Sequence, residues 1–351
     1  MYGSVTRTKY ELDRERETAM TTPTTATPTA TMRAVIQDRY GSSEVLRSAR
    51  VPRPVIAEHE VLVRVHAAGL DRGTEHLMTG KPYVMRLGFG LRRPKNPISG
   101  RDVAGTVAAV GASVTRFAVG HEVYGVASGS FAEYAVARED KLARKPVNLS
   151  FAEAAAVPVS AGTALRALEA GKVQAGQSVL VVGASGGVGS YAVQLAKAFD
   201  AEVTGVSSTA KVDLVTSLGA DHVIDYTEKD FADGTRRYDL ILDIGGSAPV
   251  RRLRRALKPR GTLVFVGGEN SGNLTGMGRQ LRGALISPFL RQRLVLLVAK
   301  ERAGDYERLT SLIEEGKVLP SVDRSYPLDE APDAMRLLET GQVRGKVVIT
   351  V

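Results

Sequence analysis

Residues 178–199 carry the feature that most narrows what this chain can fold into. A run of apolar residues, 178–182, leads straight into Gly183-Ala184-Ser185-Gly186-Gly187-Val188-Gly189, and a helical pattern runs from Gly189 to Phe199. Strand, glycine-rich turn and helix in that order form a phosphate-binding context. Glycine lets backbone amides approach the anion, and the helix N-terminus adds partial positive charge. The register is Ala184-x-Gly186-x-x-Gly189, with alanine where the first glycine usually stands. Tight packing alone leaves three glycines within positions 186–189 unexplained. The turn predicts a dinucleotide site at Ala184, Ser185, Gly186, Gly187, Val188 and Gly189.

The next strand, 202–206, decides which dinucleotide. An NAD site places a carboxylate at the end of this strand, about 20 residues past the turn, to hold the ribose 2′-hydroxyl. Here the strand ends in Ser207-Ser208-Thr209, with Lys211 just beyond. A cation there suits a 2′-phosphate, so NADPH is the expected cofactor. Apolar strands and amphipathic helices go on alternating: helix 211–218, strand 238–244, helix 251–257, strand 262–266. This pattern indicates α/β architecture, a doubly wound parallel sheet covered on both faces. The preceding part differs. Strands are expected at 32–38, 60–67, 103–110 and 122–126, with a long loop over 71–97 rich in Gly, Pro and Arg. Residues 151–170 read as a helix broken near Pro158 and Gly162. Past residue 291 come a further strand, helices at 305–315 and 328–340, and a last strand, 346–351, expected to return to the first domain.

Composition removes several classes of function. The chain has 351 residues and no cysteine, which excludes disulfides and thiolate chemistry and fits a cytoplasmic protein. No apolar stretch approaches membrane-spanning length. The formal net charge is +9, but the basic residues are dispersed and tryptophan is absent, so nucleic-acid binding is not expected. Residues 1–31, rich in Thr, Pro and Ala toward their end, are expected to form a disordered tail.

The stretch 178–226, with Gln194-Leu195-Ala196-Lys197 and Leu218-Gly219-Ala220-Asp221-His222-Val223-Ile224-Asp225-Tyr226, resembles the medium-chain dehydrogenase/reductase superfamily, in its zinc-independent quinone oxidoreductase-like branch. Gly129-Ser130-Phe131-Ala132-Glu133-Tyr134, Ala155-Ala156-Val157-Pro158 and Gly345-Lys346-Val347-Val348 resemble it too. The resemblance implies a GroES-like β-rich substrate domain over 32–155, completed by about 310–351, and a Rossmann domain over 156–309. The active site would lie in the cleft between them. It also implies Tyr226 near the 2′-phosphate, Val266, Gly267 and Gly268 near the nicotinamide ribose, and Thr163 facing the nicotinamide. Zinc-dependent relatives carry a cysteine and a Gly-His-Glu motif, where this chain has Asp71 and Gly100-Arg101-Asp102. A guanidinium cannot ligate zinc. The literal Gly120-His121-Glu122 aligns with a different turn, and His59, His66, His76 and His222 show no ligand spacing, so no metal is expected.

Without zinc to stabilise an alkoxide, the favoured acceptor is a quinone or α,β-unsaturated carbonyl, whose conjugation spreads the charge. Asp71, His76 and Tyr83 are the candidate catalytic residues. The alternatives are an enoyl-thioester reductase using Arg92, Arg93 or Lys95, and a non-catalytic NADPH-binding partner protein. Residues 293–299 read as a sheet-edge strand and predict a homodimer paired through it.

Overall fold

The computed structural model describes residues 30–267, 278–298 and 300–351, so the tail up to residue 29, Gly268 and Ala299 lie outside the described residues. The β-rich part opens with β1 (Thr31–Ile36), β2 (Arg47–Pro52) and β3 (Glu60–Leu70), followed by α1 (Arg72–Thr79) and α2 (Arg86–Phe89). It continues with β4 (Asp102–Val110), β5 (Glu122–Val126), β6 (Tyr134–Arg138) and β7 (Leu142–Arg144). Helices α3 (Phe151–Ala155) and α4 (Pro158–Gly171) lead to β8 (Ser178–Val182), α5 (Gly187–Ala198), β9 (Glu202–Ser207), α6 (Val212–Ser217) and β10 (His222–Asp225). Then come β11 (Tyr238–Asp243), α7 (Val250–Ala256), β12 (Leu257–Phe265), α8 (Gly278–Ile286) and β13 (Arg293–Leu296). The chain closes with α9 (Ala303–Glu314), β14 (Val322–Pro327), α10 (Ala331–Glu339) and β15 (Lys346–Thr350).

Two sheets organise these elements. The parallel sheet has the order β10-β9-β8-β11-β12-β13, and every residue of its central strand β8 is buried. Strand order reverses between β8 and β11, which opens a crevice at their carboxyl ends, the usual ligand position in such sheets. The second sheet runs β14-β15-β3-β4-β5-β7, with β6 also paired to β3. Its member β15, the last strand of the chain, lies antiparallel to β3. One apolar core runs through both halves, joining Ala67, Ala104 and Tyr124 to Val179, Val181 and Tyr191. The Tyr124 hydroxyl donates to the Tyr306 carbonyl (2.6 Å), and the Tyr191 hydroxyl to the Ala156 carbonyl (3.1 Å). The junction beneath the crevice is therefore closely packed, with both tyrosine hydroxyls satisfied.

Three expectations need correction. The segment 71–97 is not a plain loop, because α1 occupies its start, N-capped by Asp71 and closed by Gly80 at φ 62°. That cap pair was the available signal. The helix over 151–170 breaks only before Pro158, whose missing N–H suits a first-turn position, and Gly162 continues α4. The edge strand is also shorter than expected, ending at Leu296.

Candidate active site

The crevice beyond β8 holds a cavity of about 830 Å³ whose walls include Gly183, Ser185, Ser207, Ser208, Lys211 and Tyr226. Its floor is the glycine turn. Gly183 takes φ 89°, so the left-handed position falls on it and not on Ala184, which explains why alanine is tolerated there. A Cβ on Gly189 would meet the Gly183 carbonyl oxygen at 2.1 Å, and one on Gly267 would meet the Ile244 carbonyl oxygen at 1.9 Å. Gly186 is the N-cap of α5 and offers no side chain, so the helix amides are open to a phosphate. This cradle fits a dinucleotide.

At the ribose end, the Ser207 hydroxyl is buried without a hydrogen-bond partner among the described residues. Lys211 faces the same cavity, but its ammonium is already engaged, donating to the carbonyls of Gly341 (2.9 Å) and Val343 (2.8 Å). Burial lowers the Lys211 pKa, with Arg344 and Arg72 acting in the same direction against Asp323. Two further cations in this wall were missed from sequence: Arg252 on α7 and Arg344 just before β15. Arg344 donates to the Ala210 carbonyl and the Asp213 carboxylate, both at 2.6 Å. It arrives from the other sheet, and no local pattern announced it. Tyr226 is 58% exposed at the end of β10.

The C-terminal strand also locks the turn to the β-rich half. The Gly345 amide donates to the Ser185 carbonyl (3.0 Å). Next to it, Lys346 is buried with its ammonium 3.3 Å from the equally buried Asp102 carboxylate. The other Asp102 oxygen accepts from the Val159 amide at the start of α4 (2.9 Å). Burial, helped by Asp71, pushes the Asp102 pKa up to about 7 despite Lys346.

A second cavity, about 440 Å³, lies in the β-rich half, with Thr74, Met78, Phe89, Lys95, Arg101 and Lys141 in its walls. The expected catalytic residues do not gather in it. Asp71 is buried, and its Oδ1 caps α1 by accepting from the Thr74 amide (2.7 Å), while Oδ2 has no partner among the described residues. His76 sits half-buried on α1. Tyr83 is 43% exposed, its ring stacked under the Arg86 guanidinium (4.7 Å). Neither His76 nor Tyr83 lines either cavity. Arg92 and Arg93 are exposed, while Lys95 donates to the Gly88 carbonyl (2.8 Å). Thr163 lines a separate small cavity of about 20 Å³ with Glu301 and Tyr306. Val266 and Gly267 follow β12, their amides bonded to the Asp243 carbonyl.

Arg101 was set aside from sequence as unable to bind metal, and the structure gives it a central place. Its guanidinium pairs with Glu301, in the segment after β13. Asp71, Glu301 and Asp102 together hold its pKa above the ordinary value although burial opposes the charge. A guanidinium beside Asp71 does not suit a zinc shell, and no group of three metal-ligating side chains occurs among the described residues. The literal Gly-His-Glu histidine, His121, uses Nδ1 to accept from the Ala118 amide (3.0 Å), and its Nε2 contacts Arg144 (2.8 Å).

Two family models match: "Alcohol dehydrogenase GroES-like domain" over residues 57–147 and "Zinc-binding dehydrogenase" over residues 218–349. The chain is 36% identical to a 2-methylene-furan-3-one reductase of Solanum lycopersicum, over 94% of this chain and 82% of the relative. It is 34% identical to an NADPH-dependent alkenal/one oxidoreductase, chloroplastic, of Arabidopsis thaliana, over 91% of this chain and 79% of that one. The quinone oxidoreductase structure from Coxiella burnetii superposes with a TM-score of 0.81 at 29% identity, covering 92% of this chain and 100% of the other. With both halves matched and the likeness running nearly end to end, this chain belongs to the medium-chain dehydrogenase/reductase superfamily, in its quinone oxidoreductase-like branch.

Proposed function

We propose that this protein is an NADPH-dependent, zinc-independent reductase of quinones or α,β-unsaturated carbonyl compounds. The observation that carries the reading is the glycine cradle opening into a cavity whose far wall bears Lys211, Arg252 and Arg344. Relatives named for alkenal/one and quinone reduction support the acceptor class. In this reading Ala184, Ser185, Gly186, Gly187, Val188 and Gly189 hold the pyrophosphate. Ser207, Ser208, Lys211, Tyr226 and Arg344 surround the 2′-phosphate, and Thr163, Val266, Gly267 and Gly268 serve the nicotinamide end. The bound cofactor supplies hydride. The protein's part is to hold the acceptor in line, exclude water and receive the charge that develops. Asp71 remains a candidate through its unpartnered oxygen. His76 and Tyr83 stay candidates only if the 71–97 segment moves on binding.

The test is direct titration of NADPH and NADH, followed by an acceptor panel containing quinones, enones and enoyl thioesters. Tenfold or greater preference for NADPH and turnover of enones or quinones are expected. Equal affinities would overturn the 2′-phosphate assignment, and turnover confined to enoyl thioesters would favour that alternative. A cytoplasmic location belongs to the same reading and rests on the cysteine-free composition. Among the described residues no helix is long and apolar enough to cross a membrane.

The reading includes a homodimer paired through β13, which ends the parallel sheet. The Leu297 amide points inward to the Phe265 carbonyl (3.1 Å), and by the two-residue period so does that of Val295. The Leu294 amide is taken by the Ser287 hydroxyl (2.9 Å). Leu296→Pro is therefore the substitution that removes an outward donor, and sedimentation reads the outcome. A concentration-independent monomer of the unaltered protein would contradict the pairing.

A further inference from the structure

Arg101 stands where the two sheets meet and is fixed from several sides. Its carbonyl accepts from the Ala127 amide (2.9 Å), and the neighbouring Asp102 is tied to both Lys346 and α4. Its guanidinium pairs with Glu301 and is also stabilised by the charge of Asp71, and Arg101 is one of the residues lining the 440 Å³ cavity. The two carboxylates are not equivalent. Asp71 cannot leave without uncapping α1. Glu301 lies between β13 and α9, held by its pair with Arg101 and by Lys141, which donates to its carbonyl. Glu301 is thus an internal anion seated on a preformed cationic site.

Two buried polar atoms in this region have no hydrogen-bond partner among the described residues. One is Asp71 Oδ2. The Tyr306 hydroxyl is equally buried and equally unpartnered, and Tyr306 lines the small cavity beside Glu301. Buried polar groups are almost always satisfied, and of the two only the Tyr306 hydroxyl can donate to an anionic oxygen.

Resting on the reductase reading above, we infer that Arg101 is the catalytic group that receives the negative oxygen formed on the acceptor, and that Glu301 occupies this position until the acceptor enters. A carboxylate oxygen and an enolate or hydroquinonate oxygen present the same charge to the same N–H donors. With an enone, the acceptor β-carbon would receive hydride from the C–H bond of the NADPH that residues 184–189 would hold, and the NADPH would be oxidised to NADP⁺. The alkene electron pair shifts toward the carbonyl, whose oxygen becomes the enolate hydrogen-bonded to Arg101. The enone would thereby be reduced, and a solvent proton on the α-carbon would complete the saturated ketone. Arg101 stays protonated throughout. It is an electrostatic partner and not an acid.

The test separates binding of the anion from turnover. 4-Nitrophenol, whose phenolate is coloured, is titrated into the NADP⁺-saturated protein. The unaltered protein should bind the phenolate and lower the probe's apparent pKa by about 1 unit or more, as a nearby opposite charge does. Arg101→Gln should abolish that shift, Arg101→Lys should keep part of it, and Glu301→Gln should tighten phenolate binding about tenfold by removing a like charge. In turnover, Arg101→Gln should lower kcat about 100-fold with KM little changed, the usual cost of losing one oxyanion donor. An unchanged probe pKa in Arg101→Gln overturns the inference, as does Glu301→Gln binding phenolate no better than the parent. If Arg101→Gln fails to fold, the lysine and Glu301 variants still decide. Absence of turnover with every acceptor would count against the reductase reading, while the phenolate shift would still report on Arg101.

Discussion

The 830 Å³ cavity and the 440 Å³ cavity are built by different means. The first has a backbone floor, the glycine turn and helix N-terminus that follow β8, and its walls add side chains from Ser207 on to Arg252 and Arg344. The second is gathered mainly from α1, the end of α2, the segment 94–101, the end of β5 with the turn 127–129, and β6. Its defining contact, Arg101 with Glu301, joins residues 200 positions apart. Backbone sites announce themselves in sequence because the constraint is local and glycine is the only residue that meets it. Side-chain sites depend on which strands become neighbours. The buried Asp102–Lys346 pair and the Gly345–Ser185 hydrogen bond then join the two kinds of construction.

The sharpest way to break the comparison is to put a side chain into the backbone-built site. Gly189→Ala sets a Cβ 2.1 Å from the Gly183 carbonyl oxygen, so the turn must shift. NADPH affinity should fall about 100-fold, as an ångström-scale misplacement typically costs, with melting temperature much less affected. Unchanged affinity in a direct titration would mean that the turn is not the phosphate cradle.

Next in size is the joint between the halves. Asp102 titrates above the ordinary carboxylate range, so its folded form holds a proton more readily than the unfolded chain. That contribution is complete below about pH 4 and is lost as pH rises toward about 7. Lys346→Met should destabilise the protein by about 1–3 kcal/mol at pH 8 and less at pH 5, where Asp102 can be neutral. The double variant Asp102→Leu, Lys346→Met should recover most of the loss. Denaturant curves at both pH values check this, and a pH-independent loss would contradict it.

A smaller effect is expected at the ribose end. Arg344→Ala and Lys211→Ala should each weaken NADPH by about tenfold and leave NADH nearly unchanged, the scale of one charge-assisted hydrogen bond. Equal losses for both cofactors would assign these cations to packing. Smallest of all, Tyr83→Phe should change kcat/KM by less than about threefold, because a surface substitution away from such features has little effect. A larger drop would show that the 71–97 segment closes on the substrate.

What was legible follows the same division. The α/β alternation, the turn and the cation after β9 came from local pattern, and they lie where the crevice opens. The expected catalytic set did not gather, since Asp71 is first of all a helix cap and Tyr83 stacks on Arg86. Arg101 was visible as a residue that cannot ligate metal. Its pairing was not visible, because Glu301 reaches it from 200 positions away in the chain. Arg344 escaped notice for a similar reason: β15 carries it back across the molecule to Ala210 and Asp213.

The central claim is that the two cavities cooperate in hydride transfer to a conjugated acceptor. The most direct measurement compares NADPH oxidation with an enone and with its saturated ketone, after treatment with a chelator. The account predicts turnover of the enone, none above background for the ketone, and no effect of the chelator. Reduction of the saturated ketone that the chelator abolishes would contradict it.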